Sequence, residues 1–394
     1  MVSRRALLAS GVVGVGGAAG CVGGSPIRGA DGGGGGDDEA DGVDAADDPA
    51  DDAENADATR IGFVGDLMLG RSVADRWADA DDPEGVWGST LPRLRELDAL
   101  VGNLECCVSD RGERWPDKTY YFRSPPSFAT PALEAAGASF VSLANNHVLD
   151  YREPALRDTR RRLADADIAR AGAGRDADAA LEPATFEAGD LTVAAFGLTD
   201  QSTAFAATAA GPGTAFARLD PAVRETRAIV GDVLGRVAET EPDVVVASLH
   251  WGANWETEPR AVHERFGRWL VEQGVDVVHG HSAHVLQGVE VYEGRPIIYD
   301  AGDFVDDYVS YRDREGVYNK RSALFELVVR DGRPVALDVL PTDVADETAS
   351  LADGEVARWV RHTLAERSAP YDTAVEGVDG ERDGGRLRIP LDGD

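Results

Sequence analysis

Ile61-Gly62-Phe63-Val64-Gly65-Asp66 reads as a short buried strand that runs without a break into a glycine and a carboxylate. The same grammar recurs downstream. Residues 98–101 lead into Gly102-Asn103-Leu104-Glu105, and residues 139–143 into Ala144-Asn145-Asn146-His147. Residues 244–249 lead into His250-Trp251-Gly252, and residues 275–278 into His279-Gly280-His281. Helical patterns lie between them, at 92–97, 154–166 and 260–273. This alternation predicts an α/β fold whose polar clusters all fall at strand C-termini, the edge where open α/β sheets carry their active sites. Toward the end, residues 322–330 and 333–340 flank Asp331-Gly332, a hairpin signal. An amphipathic closing helix is expected over 355–366, and the acidic, Gly-rich end is expected to fray from about Gly377.

The five clusters deliver Asp66; Asn103 and Glu105; Asn146 and His147; His250; and His281 with His284. Carboxylate oxygen, amide oxygen and imidazole nitrogen together form a ligand set for borderline divalent metals, and the imidazoles point to manganese, iron or zinc. Two such ions close together polarise a phosphoryl or acyl group and lower the pKa of water. His147, next to the expected ligand Asn146, stays free to protonate a leaving group. Singly, each residue has an ordinary explanation: an Asp after a strand caps a helix, an Asn pair makes a turn, a lone His is structural. Five clusters at successive strand ends, holding four of the seven histidines, do not.

The 394 residues include 71 acidic against 39 basic, for a net charge of -32, and Lys118 and Lys320 are the only lysines. That balance excludes a nucleic-acid partner and suits a solvated acidic shell working in high salt. Cys21, Cys106 and Cys107 imply no disulfide framework, and the vicinal pair is expected to fill space in the core. Residues 1–21 hold the paired Arg4-Arg5, a short apolar run and the small-residue close Ala18-Ala19-Gly20-Cys21, a twin-arginine export signal with a lipobox-like end. Cys21 is then the lipidation site that anchors the protein to the outer face of the cell membrane; an ordinary cleaved signal with an incidental cysteine is the plainer alternative. Residues 22–59 are expected to form a disordered acidic tether, because residues 31–57 carry twelve acids and no basic residue.

Gly65-Asp66-Leu67-Met68-Leu69-Gly70-Arg71, Gly102-Asn103-Leu104-Glu105, Ala144-Asn145-Asn146-His147-Val148-Leu149-Asp150, His250-Trp251-Gly252 and Gly280-His281-Ser282-Ala283-His284-Val285-Leu286-Gln287 together resemble the CapA family of poly-γ-glutamate capsule biosynthesis. The run Gly294-Arg295-Pro296-Ile297-Ile298-Tyr299-Asp300-Ala301-Gly302-Asp303-Phe304 is similar to that family's closing strand. The resemblance implies a calcineurin-like metallophosphatase layered sandwich (α/β/β/α) over residues 60–345, followed by a C-terminal helix and frayed tail over 346–394. It implies a divalent, dinuclear centre held by Asp66, Asn103 or Glu105, Asn146, His250, His281 and His284, with His147 as the acid. Asp66 is followed by Leu67 and Met68 where true metallophosphatases carry a further histidine. The implied role is cell-surface capsule synthesis, export or anchoring, with membrane-bound ligase and transport subunits and the polyanionic γ-glutamyl polymer as partners. Arg71 and Arg123 are the candidate polymer-binding residues, with Arg114 and Lys118 beside them. A non-catalytic polymer-binding assembly factor and a generic secreted metallophosphatase are the competing readings.

Overall fold

The computed structural model describes residues 58–80, 82–307, 317–378 and 385–391. The export signal, Cys21 and nearly all of the acidic tether lie outside the described residues. Among these, two sheets carry the fold, one of ten strands and one of six. In the larger sheet Thr59–Leu67, Ala99–Leu104, Ala138–Ser142 and Ala169–Ala171 run parallel. On the other side of Thr59–Leu67 the sheet turns antiparallel, through Arg321–Arg330 and then Arg333–Ala345. The smaller sheet has a parallel centre of Leu191–Thr199, Val244–His250, Val277–His281 and Arg295–Ile298. Antiparallel edges, Ala184–Ala188 and Val289–Tyr292, close it.

Three apolar layers hold the sheets and helices together. Ile61, Phe63 and Val101 of the larger sheet meet Val193, Val246 and Val277 of the smaller one in a continuous inter-sheet core. The opposite faces pack on helices. Phe128 and Leu133 of Pro126–Ala135, and Leu156 and Leu163 of Arg152–Asp165, cover Val64, Leu100 and Val141. Val230 and Val233 of Arg224–Ala238, with Phe266 and Leu270 of Ala261–Glu272, cover Phe196, Leu249 and Val278. Strands buried on both faces must be apolar nearly throughout, which is why their runs ended abruptly in polar residues. The four layers are the expected α/β/β/α sandwich. No helix among the described residues is long and apolar enough to cross a membrane.

Asp331 and Gly332 both take positive φ, 49° and 71°, so the hairpin turns as its sequence predicts. The C-terminal end departs from expectation. The helix Gly354–Ser368 places Val360 and Leu364 in the inter-sheet core. The expected frayed tail returns as the strand Leu387–Pro390, paired with Arg333–Ala345, and buries Leu387 and Ile389 in that core. Acidic, glycine-rich composition hid a short alternation of apolar residues, and Arg388 fixes it by donating to Asp338 at 2.7 Å. The compact unit therefore continues well beyond Ala345.

Candidate metal centre

Strand register builds the centre. Asp66 lies opposite Asn103 across the parallel pair of the larger sheet, and His250 lies opposite His281 across the parallel pair of the smaller one. The carboxyl ends of both sheets meet here because the end of the first strand passes close to the 301–303 segment. A Cβ on Gly65 would stand 1.8 Å from the carbonyl oxygen of Gly302, so only glycine admits that approach. The loop after His281 is strained: Ser282 and His284 hold φ of 112° and 59°, conformations that cost about 1–3 kcal/mol each and gather at functional sites.

Two triads result. Asp66, His250 and His281 offer ligand atoms within 4.8 Å of one another, and so do Asp66, Glu105 and His284; all five residues are buried. His284 Nδ1 lies 3.1 Å from Asp66 Oδ2 and 2.8 Å from Asp303 Oδ1. His250 and His281 face each other, Nδ1 to Nδ1, at 3.0 Å. Glu105 is fully buried and neither of its carboxylate oxygens has a hydrogen-bond partner. A desolvated carboxylate without a partner is costly, and a cation is what satisfies it. The donor set of two carboxylates and three imidazoles is therefore compatible with a divalent metal site.

The electrostatics of the histidine pair agree with that fit. Burial pushes Glu105 well above the usual carboxylate range, and the neighbouring Asp66 adds to it. Burial holds His250 down to about 3 and His281 well below its ordinary value, so both rings are neutral and keep a lone pair for a ligand bond. His284 goes the other way: burial opposes its charge, but Asp303 and Glu105 outweigh burial and raise it well above the ordinary value. Asp66 stays well below the carboxylate range in spite of burial, through its hydrogen bond with His284.

The other expected residues take distinct places. Asn103 donates to Asp66 Oδ1 at 2.6 Å while its own oxygen accepts from Asn145 at 3.0 Å, so it orients Asp66 instead of offering a ligand oxygen. Asn146 is half-buried, with Oδ1 3.1 Å from His250 Nε2. His147 stands beside the centre, Nε2 3.8 Å from Glu105 Oε1, outside both triads. Its Nδ1 meets Asp150 Oδ2 at 2.7 Å. Burial lowers His147 to about 4, against the pull of Asp150. Lys118, expected to face polymer, is committed here instead, contacting Asp150, the backbone oxygen of Asn146 and His147 Nδ1. Arg71 pairs with Asp307 at 2.7 Å and lies over the Tyr120 and Phe122 rings; Arg123 lies 4.0 Å over the Tyr151 ring. Both line a neighbouring cavity of about 510 Å³. Cys106 and Cys107 are buried and free, as space-filling residues, and burial pushes the Cys107 thiol up to about 12.

Sequence reasoning missed three supports. Asp303 braces His284. Asp150 and Lys118 brace His147. Behind His281, Ser248 Oγ contacts His281 Nε2 at 3.0 Å and His279 Nδ1 at 3.3 Å, while His279 Nε2 reaches the Val64 carbonyl at 3.0 Å. The i, i+2 spacing of His279 and His281 was the available signal, since it sets both on one face of a strand.

Comparison with known proteins adds three relatives and a family. The family of bacterial capsule synthesis proteins, PGA_cap, matches residues 60–308. A probable polyglutamine synthesis accessory protein of Mycobacterium tuberculosis (strain ATCC 25618 / H37Rv) is 33% identical over 301 residues, spanning 73% of this chain and 78% of its own. The PGA biosynthesis protein CapA of Bacillus subtilis (strain 168) is 26% identical over 294 residues, with 74% and 73% covered. The capsule biosynthesis protein CapA of Bacillus anthracis is 29% identical over 287 residues, with 72% and 67% covered.

Proposed function

The chain belongs to the bacterial capsule synthesis family, and from that premise we propose that it is a metal-dependent hydrolase or transferase acting on an amide or phosphoester bond during poly-γ-glutamate capsule assembly. The observation that carries the proposal is Glu105, a buried carboxylate neither of whose oxygens makes a hydrogen bond, grouped with Asp66 and His284. Asp66 would be shared, with His250 and His281 holding one divalent ion and Glu105 and His284 the other. Such ions, when bound, supply Lewis acidity toward a substrate oxygen and a nucleophile from water at neutral pH.

The chain's own residues do the rest. Asn103 fixes the rotamer of Asp66, and Ser248 holds Nε2 of His281 so that Nδ1 faces the centre. Asp150 accepts the Nδ1 proton of His147, which leaves the Nε2 lone pair turned to the centre, where it would take the proton released by the attacking water and pass it to the leaving group. The Arg71 and Arg123 guanidinium groups, stacked on aromatic rings at the adjoining cavity, would hold substrate carboxylates. The twin-arginine signal and Cys21 extend the proposal to a lipid-anchored protein on the outer face of the membrane, beside membrane-bound ligase and transport subunits. Those stacked arginines also favour a second reading, a polymer-holding assembly factor without turnover.

One experiment separates the two. Metal-loaded full chain is assayed on γ-glutamyl oligomers and on model phosphodiesters, beside His147→Ala. Turnover lost in His147→Ala at undiminished metal content supports the enzyme; polymer binding without turnover in the metal-loaded wild type leaves the assembly factor.

A further inference from the structure

Positive charge is concentrated in one part of this acidic chain. Residues 152–175 carry seven arginines against four acids, while the whole chain has a net charge of -32. They comprise the helix Arg152–Asp165, the edge strand Ala169–Ala171 and the short stretch beyond. Arg157 and Arg161 each answer an acid within one helical turn, Glu153 and Asp158. Arg160 and Arg170 have no ion pair among the described residues, and their Nε atoms are buried without a hydrogen-bond partner. Burial holds both below the ordinary guanidinium value; the neighbouring Arg175, itself paired with Asp176 at 3.1 Å, adds to this for Arg160 while Asp176 offsets it in part, and Arg160 adds to it for Arg170. Half-buried cations that repel one another weaken a fold unless anions join them.

The surface depressions follow the same line. The cavity lined by Arg71, Arg123 and Tyr151 extends to Ser109, whose hydroxyl donates to Asp158 at 3.0 Å. Asp158 lines the next cavity, of about 500 Å³, with Arg111, Arg157 and Arg161. Arg157 also lines a notch of about 30 Å³ with Arg160 and Arg175. The second and third depressions thus share Glu153 and Arg157 on the same turns of the helix, and the second reaches the first through Asp158 and Ser109.

We propose that this run is a docking track for a linear polyanion, a flexible chain bearing regularly spaced carboxylates, which it guides toward the metal centre. The track rests on the capsule-polymer reading given above. Guanidinium forks match carboxylates in geometry, and a further carboxylate placed beside Arg160 adds to the partial neutralisation that Asp176 already gives Arg175 and Arg160. Asp75, Asp79 and Asp110 offset the arginines of the cavity nearest the centre, so affinity comes mainly from the distal part. Each contact is weak alone. On one chain they reinforce each other through effective concentration, so affinity must rise with polymer length.

The test titrates fluorescently labelled γ-glutamyl chains, from the dipeptide to long polymer, into the full-length protein. The ionic strength is set at about 0.15 M or higher to screen the remaining acidic surface. The variant is Arg157→Gln with Arg160→Gln and Arg175→Gln. Wild type is expected to bind longer chains more tightly. The variant is expected to bind long polymer about tenfold more weakly, a modest product when one exposed charge pair contributes up to roughly fivefold. It should also lose the length dependence while keeping metal content and melting temperature. Arg157→Glu alone, at a side chain 78% exposed, repeats the test without disturbing a buried group and is expected to weaken long-chain binding in the same direction. Equal affinity and length dependence in the variants overturn the track, as does a wild type that binds dipeptide as tightly as polymer. Length-dependent binding of polyaspartate without binding of γ-glutamyl chains would keep the track and remove the capsule polymer as its occupant. Metal content, measured separately, reports on the centre alone.

Discussion

Replacing Glu105 by Met should change the protein's stability in opposite directions with and without metal. Glu105 is fully buried, and its two carboxylate oxygens make no hydrogen bond; the facing ring nitrogens, His250 Nε2 and His147 Nε2, stand 3.5 and 3.8 Å from Oε1. Met has nearly the same length and needs no hydrogen bond, so in the metal-free protein the substitution removes the cost of an unsatisfied buried polar group, about 1–3 kcal/mol. With the 318 described residues and about 2.1 cal/mol/K of unfolding entropy per residue, that gain raises Tm by about 1.5–4.5 °C. Excess divalent ion stabilises wild type by about 2.7 kcal/mol at a hundredfold excess over Kd, and the variant, missing a ligand, gains less. Thermal melts in chelator and in manganese follow both arms. Glu105→Met should melt above wild type in chelator and below it in metal. A variant that melts lower than wild type in chelator, or that manganese stabilises as much as it does wild type, refutes the assignment of Glu105 as a ligand without a hydrogen bond of its own.

Three further outcomes follow from the fold. Ile389→Ala removes a fully buried side chain of the returning C-terminal strand and should cost about 2–5 kcal/mol in urea unfolding, where a frayed tail would cost nothing. Gly65→Ala puts a methyl 1.8 Å from the Gly302 oxygen, so it should destabilise by about 3 kcal/mol or more and lower metal content as the two segments part. Asp338 is held below its ordinary value of 3.8: burial opposes this, but hydrogen bonds from Arg388 and Arg60 win. A depressed folded pKa contributes stability that is present above 3.8 and lost as pH falls through the folded value. Asp338→Asn should therefore be less stable than wild type at pH 7, with the gap between their urea midpoints closing in strong acid.

Much of the site could be read from strand ends, because a strand buried on both faces has no polar residue until it emerges. The break after Val64 marked Asp66, and the break after Leu249 marked His250. Convergence of these ends was not written in any local pattern, since it depends on two sheets packing face to face through the inter-sheet core. The roles of individual residues were harder still. Asn103 and Asn145 differ in function only through which oxygen accepts from which amide. Lys118 was grouped with the polymer-facing arginines and proved to be bound to Asp150, a contact made across a strand, a helix and a second strand of intervening chain. The C-terminal strand was missed because Leu387, Ile389 and Leu391 alternate within a stretch whose overall composition is that of a disordered tail.

The central claim is that Asp66 is the ligand common to two metal-holding triads. Metal content of the purified full chain after equilibration with manganese, iron or zinc tests it, with Asp66→Ala, His284→Ala and His147→Ala in parallel. Wild type should retain divalent metal, Asp66→Ala should retain none, His284→Ala should retain part, and His147→Ala should match wild type. An Asp66→Ala protein that is folded and carries as much metal as wild type would contradict the account.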